Sequence, residues 1–108
     1  MNKLAQTPKP PYYAVIFSST LKEQTEGYAE MGDLMVELAE KLEGFLGIES
    51  ARNEIGITVS YWKDLESIKK WKAVTEHKMA QQKGYQDWYK SFKVRISKVE
   101  RDYGFEAE

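Results

Sequence analysis

A chain of 108 residues fits one domain, and its 16 basic and 17 acidic residues leave a net charge of −1, without the basic excess that nucleic-acid binding calls for. Hydrophobic residues at 42% argue against disorder, and the absence of cysteine excludes disulfides, thiolate nucleophiles and cysteine-ligated metal. The N-terminus lacks the apolar core of a secretory signal, and no apolar run nears the roughly 20 residues of a membrane span, so a cytoplasmic protein with no membrane partner is expected.

Residues 1–11 hold all three prolines, Pro8, Pro10 and Pro11, and read as an extended arm. Tyr12-Tyr13-Ala14-Val15-Ile16-Phe17 is almost continuously apolar, as in a strand buried on both faces. Thr25 is the expected N-cap of a first helix, with Glu26 in its first turn. Tyr28, Met31, Leu34, Met35, Leu38 and Leu42 recur at steps of three and four, which puts them on one face. Gly44 is the expected stop.

Two alternating stretches follow: Leu46, Ile48, Ser50 and Arg52, then Ile57, Val59 and Tyr61. Glu54-Ile55-Gly56 between them predicts a hairpin turn with Gly56 at positive φ. The same alternation makes Glu49 a solvent-facing strand residue. Asp64 is placed to cap a second helix carrying Leu65, Ile68 and Trp71 on one face, with a kink beyond Thr75, an end near Lys83 and an interruption at Gly84. Lys69-Lys70-Trp71-Lys72 reads as one solvated helical turn. After a short turn around Trp88, Phe92, Val94 and Ile96 alternate in one phase and Val99, Tyr103 and Phe105 in the other, which predicts a bulge near Ser97-Lys98.

The order βαββαβ predicts an α+β, ferredoxin-like antiparallel sheet with both helices on one face. The domain spans residues 12–105, with an arm at 1–11 and a tail at 106–108. The other face of the sheet would be a large apolar patch, and a second copy of the chain is its simplest cover. A homodimer joined through the sheet is expected, with the last strand crossing to the partner.

The segments Tyr13 to Phe17, Glu43-Gly44-Phe45-Leu46-Gly47-Ile48-Glu49, Val59-Ser60-Tyr61-Trp62-Lys63 and Trp71 to Glu76-His77-Lys78-Met79-Ala80 resemble the antibiotic biosynthesis monooxygenase domains of the dimeric α/β barrel superfamily. The resemblance implies the dimeric barrel. It also implies oxidation of an aromatic or quinoid small molecule without flavin or metal: a phenol becomes a carbanion and reacts with oxygen directly. Tyr13, Phe17, Ser19, Trp62 and Trp71 are the pocket candidates this implies. His77, the only histidine, is the candidate base. Each of these has a plainer reading, the tryptophans as core and His77 as a polar helix residue. The haem-degrading relatives imply an Asn on strand one and a His about ten residues after the helix-two Trp. Here strand one offers Phe17, Ser18 and Ser19, and Gln81 stands ten residues past Trp71. Haem is therefore disfavoured and no cofactor or metal is expected; the alternatives are a haem-binding or haem-degrading monooxygenase with His77 as iron ligand, and a non-catalytic dimeric ligand-binding or stress-response module.

Overall fold

The computed structural model describes residues 3–82 and 87–108, and nothing of the side chains of residues 80–82. Its elements run β1 (Tyr12–Leu21), α1 (Tyr28–Glu40), β2 (Phe45–Arg52), β3 (Gly56–Trp62), α2 (Leu65–Gln82) and β4 (Tyr89–Val99). The four strands form one antiparallel sheet in the order β2-β3-β1-β4, with both helices on one face. This is the ferredoxin-like arrangement that the element order dictates.

The register fixes which residues share a face. Tyr13, Val15, Phe17 and Ser19 of β1 stand opposite Trp62, Ser60, Thr58 and Gly56 of β3. All of these lie on the helix side, where Val15 and Trp62 join Ala39 and Ile68 in one buried cluster. A second cluster forms at the other end of the helices around Met31, Met79 and Trp88. The alternate residues Ala14, Ile16, Ile57, Val59 and Tyr61 form an apolar strip on the open face. The residues of the arm fold onto one end of that face. The Ala5 N–H donates to Glu49 Oε2 at 2.9 Å and Thr7 Oγ1 donates to Tyr12 OH at 3.0 Å. Glu49 is thus a paired, half-buried residue rather than a solvated one.

Several local details differ from the sequence reading. Helix α1 begins at Tyr28 behind Gly27, which sits in the left-handed region at φ 85°; Thr25 contributes its carbonyl to the Tyr28 N–H rather than a side-chain cap. The helix ends at Glu40, and Gly44, at φ 93°, turns the chain into β2. Gly56 lies inside β3 without positive φ. The Arg52 guanidinium lies where a Cβ on Gly56 would be. Asp64 does cap α2, accepting the Ser67 N–H at 2.8 Å and the Ser67 hydroxyl at 2.7 Å; these bonds hold its carboxyl below the usual range. Helix α2 continues past Thr75 to Gln82. Leu65, at its first turn, is exposed. The expected interruption at Gly84 and end at Lys83 fall outside the described residues.

Strand β4 keeps one register with β1 from Val99 to Ser91, and the irregularity lies at its start, where Leu21 pairs with Tyr89. There is no slip at Ser97-Lys98. The change of phase in the sequence marks the end of the strand at Val99. Phe92, Val94 and Ile96 face the helix side, yet are 43–52% exposed, because the helices pack mainly on β2, β3 and each other. Beyond the strand, Tyr103 and Phe105 are almost fully exposed. No described helix is long and apolar enough to cross a membrane.

Candidate functional site

The space between α2 and the sheet was the expected ligand pocket, and two indoles fill it. Trp62 and Trp71 stack with centroids 5.6 Å apart and planes 29° apart. Trp62 is fully buried, and its indole N–H donates to Ser60 Oγ at 2.9 Å. Phe45 meets Trp62 edge-on at 5.4 Å, and Tyr13 packs against the same cluster. Among the described residues no buried side-chain polar atom is left without a partner, as in a core. Tyr13, Trp62 and Trp71 are thus brought together, but against one another. His77 lies apart from them on an exposed turn of α2.

Phe17 and Ser19 belong to the opposite end of the helix face, where the open chemistry lies. The register sets Arg52 opposite Gly56, Gly56 opposite Ser19, and Ser19 opposite Phe92, forming one row across the sheet. Since Gly56 has no side chain, the Arg52 guanidinium lies over β3 and reaches β1. Its Nη2 donates to Ser19 Oγ at 2.5 Å and to Tyr28 OH at 3.2 Å; its Nη1 reaches the Ser19 carbonyl at 3.4 Å. The cation also sits 5.5 Å from the centroid of the Tyr28 ring. Ser19 is only 3% exposed, whereas Arg52 remains open to solvent. Neither of the salt bridges among the described residues involves Arg52.

Aromatic rings surround this row. Phe17 stacks on Phe92 at 5.5 Å, with planes 19° apart, and meets Tyr89 edge-on at 5.6 Å. Tyr28 meets both Tyr89 and Trp88 edge-on at 5.7 Å. The Trp88 N–H is tied to the Glu26 carbonyl at 2.8 Å, which fixes that wall. The result is a cation and a buried hydroxyl set among stacked rings, with Phe92 still 43% exposed.

Two shallow hollows flank the row. One of about 380 Å³ opens between the start of α1 and Trp88 and is edged by Glu26, Glu30 and Asp87. The other, about 260 Å³, lies at the β1–β4 end, where Lys93 and Arg95 join the hydroxyls of Ser18, Thr20 and Ser91; it touches Ser19 and Phe92 and contains no carboxylate. No group of three metal-ligating side chains occurs among the described residues.

Sequence reasoning named Phe17 and Ser19 but missed Arg52, Tyr28, Tyr89 and Phe92. The missing signal was a glycine directly across a hairpin from an arginine. Assigning Gly56 to the turn hid it.

On the open face the chemistry is different. Tyr61 OH donates to Glu49 Oε1 at 2.7 Å, and Tyr12 OH bonds Asp102. Burial, then the hydrogen bond to Glu49, pushes the Tyr61 hydroxyl up to about 12; burial and the bond to Asp102 raise that of Tyr12. These are proton-holding phenols, unsuited to act as bases near neutrality.

The chain is 49% identical to the uncharacterized protein YqjZ of Bacillus subtilis over 108 residues, covering 98% of this chain and 95% of that one. No family model matches it. Among solved structures, a conserved protein from Methanosarcina mazei superposes with a TM-score of 0.68 at 17% identity, over 81% of this chain and 91% of that one. A provisionally named antibiotic biosynthesis monooxygenase from Chloroflexus aurantiacus superposes at 0.59 and 15% identity, over 86% and 97%. A protein from Bacillus cereus with the same provisional name superposes at 0.56 and 19% identity, over 89% and 100%.

Proposed function

This chain belongs to the family of Bacillus subtilis YqjZ and has the fold of antibiotic biosynthesis monooxygenase domains, and from these two facts and its cluster of aromatic rings beside Arg52 we propose that it is a small homodimeric monooxygenase-like protein acting on an aromatic or quinoid molecule. The observation that carries this reading is the ring of Phe17, Tyr28, Tyr89 and Phe92 around the Arg52–Ser19 pair. Four rings supply flat apolar contact, and the guanidinium and hydroxyl supply orientation. A reaction of this type needs no resident cofactor. An electron-rich ring CH₂ that has lost a proton forms a bond to dioxygen, and the resulting hydroperoxide loses water to leave a carbonyl, so that CH₂ and O₂ give C=O and H₂O. The residues here would bind the ring, shield it from water and hold its oxygen.

The homodimer forms part of the same proposal. The apolar strip of the open face is bordered by Glu49 on the β2 side and by Lys93 and Arg95 on the β4 side, and Glu49, Val59, Ile16 and Arg95 share one row. A two-fold axis along the strands would lay the basic edge of one sheet over the acidic edge of its partner. The exposed Tyr103 and Phe105 would gain cover in such an assembly.

Oxygen uptake tests the activity. With 1,8-dihydroxyanthrone and chelator present, the protein should consume one O₂ per quinone formed, faster than autoxidation, and Phe92→Ala should slow it. Uptake at the autoxidation rate would remove the enzyme reading in favour of a binding module. Haem has no part in this account. A haemin titration should give the same weak spectrum with the native protein and with His77→Ala, and a tight one-to-one complex lost in His77→Ala would restore the haem reading.

A further inference from the structure

Resting on the aromatic-ligand reading above, we infer that Arg52 is an anion anchor and that the ligand class is an acidic aromatic, such as an ionised hydroxyquinone or phenol, rather than a neutral one.

The position of Arg52 is unusual for a strand-end arginine. It lies flat across its neighbour strand, which requires a glycine beneath it, and Gly56 provides that gap. At the far side it meets Ser19, one of three buried polar residues among the described residues. A guanidinium has five N–H donors and cannot be deprotonated in a protein. Ser19 and Tyr28 take part of that capacity with neutral oxygens. None of these partners carries the opposite charge, and no carboxylate lies within ion-pair distance of Arg52 among the described residues.

Its surroundings point the same way. The rings that flank Arg52 offer faces to a flat ligand but no anion to the cation. A ligand that brings a negative oxygen to the guanidinium and a ring to Phe17, Phe92 and Tyr28 would satisfy both halves of the site. An anionic oxygen on a fused ring also matches the proton loss that oxygenation requires, since the same positive charge that holds the oxyanion favours its formation.

A purely structural Arg52, tying α1 to the sheet through Tyr28 and Ser19, predicts loss of stability on mutation but no ligand selectivity. The test therefore reads selectivity. Two probes of nearly equal shape are titrated calorimetrically: 2-hydroxy-1,4-naphthoquinone, whose acidic hydroxyl is ionised at neutral pH, and 2-methoxy-1,4-naphthoquinone, which is neutral. The native protein should prefer the hydroxy compound by about tenfold or more, the scale of one charge-assisted hydrogen bond. Arg52→Gln should abolish the preference, bringing the two quinones to equal affinity. Gly56→Ala keeps the arginine but displaces its guanidinium, the flexible end of a side chain, so it should erase the preference as well. Arg52→Lys should retain part of it. Equal binding of the two quinones by the native protein, or a preference that survives Arg52→Gln in a folded variant, would overturn the anchor while leaving the aromatic site intact. Binding of neither quinone would overturn the aromatic reading itself.

Discussion

The guanidinium of Arg52 occupies the space that a Cβ on Gly56 would fill. One residue's missing side chain thus positions the other's charge over Ser19. Arg52→Ala should cost about 1–3 kcal/mol, since it strands a buried hydroxyl that Arg52 now satisfies. Gly56→Ala should cost a similar amount by pushing the guanidinium off that hydroxyl. The double variant should fall well short of the sum, because both changes break one arrangement. Urea unfolding of the four proteins measures this, and strict additivity would show that the two residues act independently.

The Trp62–Trp71 stack is read as core. Trp71→Ala should cost about 3 kcal/mol, the lower end of the range for such truncations because Trp71 is only half-buried. Its effect on quinone affinity should be slight in the fraction that remains folded. A variant of native stability with abolished binding would return the site to the two tryptophans.

Tyr61 gives a pH signature. Its folded-state value of about 12 lies above the ordinary 10.0, so the folded protein holds that proton more tightly than the unfolded chain does. The associated stability is complete below about pH 10 and is lost as pH rises through 12. Stability in mild denaturant should fall across that window, and Tyr61→Phe should flatten the fall. A Tyr61→Phe profile that matches the native one would contradict the assignment.

The homodimer predicts a scattering mass of twice 12.6 kDa at micromolar concentration, with Arg95→Glu weakening association through repulsion from Glu49 of the opposed sheet. A stable 12.6 kDa species in the native protein would remove the two-fold reading.

Much of this architecture was legible in the residues. The alternation in β2 and β3, the three-and-four spacing of α1 and the Asp64 cap each follow from a local rule, and together they fix the βαββαβ order. The aromatic pairing of Trp62 with Trp71 also followed, from two residues nine apart joined through a tight strand-to-helix corner. The site did not. It depends on which residues share a row across three strands, and periodicity within one segment carries no information on register between segments. Gly56 shows the point. Along the chain it looks like turn punctuation, and only its pairing with Arg52 and Ser19 reveals a gap made for a side chain. His77 stands out by its rarity, but rarity says nothing about which way a helical residue faces, and here it lies on an exposed turn of α2.

The three tryptophans divide the helix face into its two ends, so their indole N–H signals in a proton–nitrogen spectrum test the location of the site directly. On titration with 2-hydroxy-1,4-naphthoquinone, the Trp88 signal should move, because its ring contacts Tyr28 beside Arg52, while the Trp62 signal, bonded to Ser60 in the filled core, should stay in place. Movement of Trp62 and Trp71 with Trp88 unchanged would contradict the account and place the ligand at the other end of the helix face.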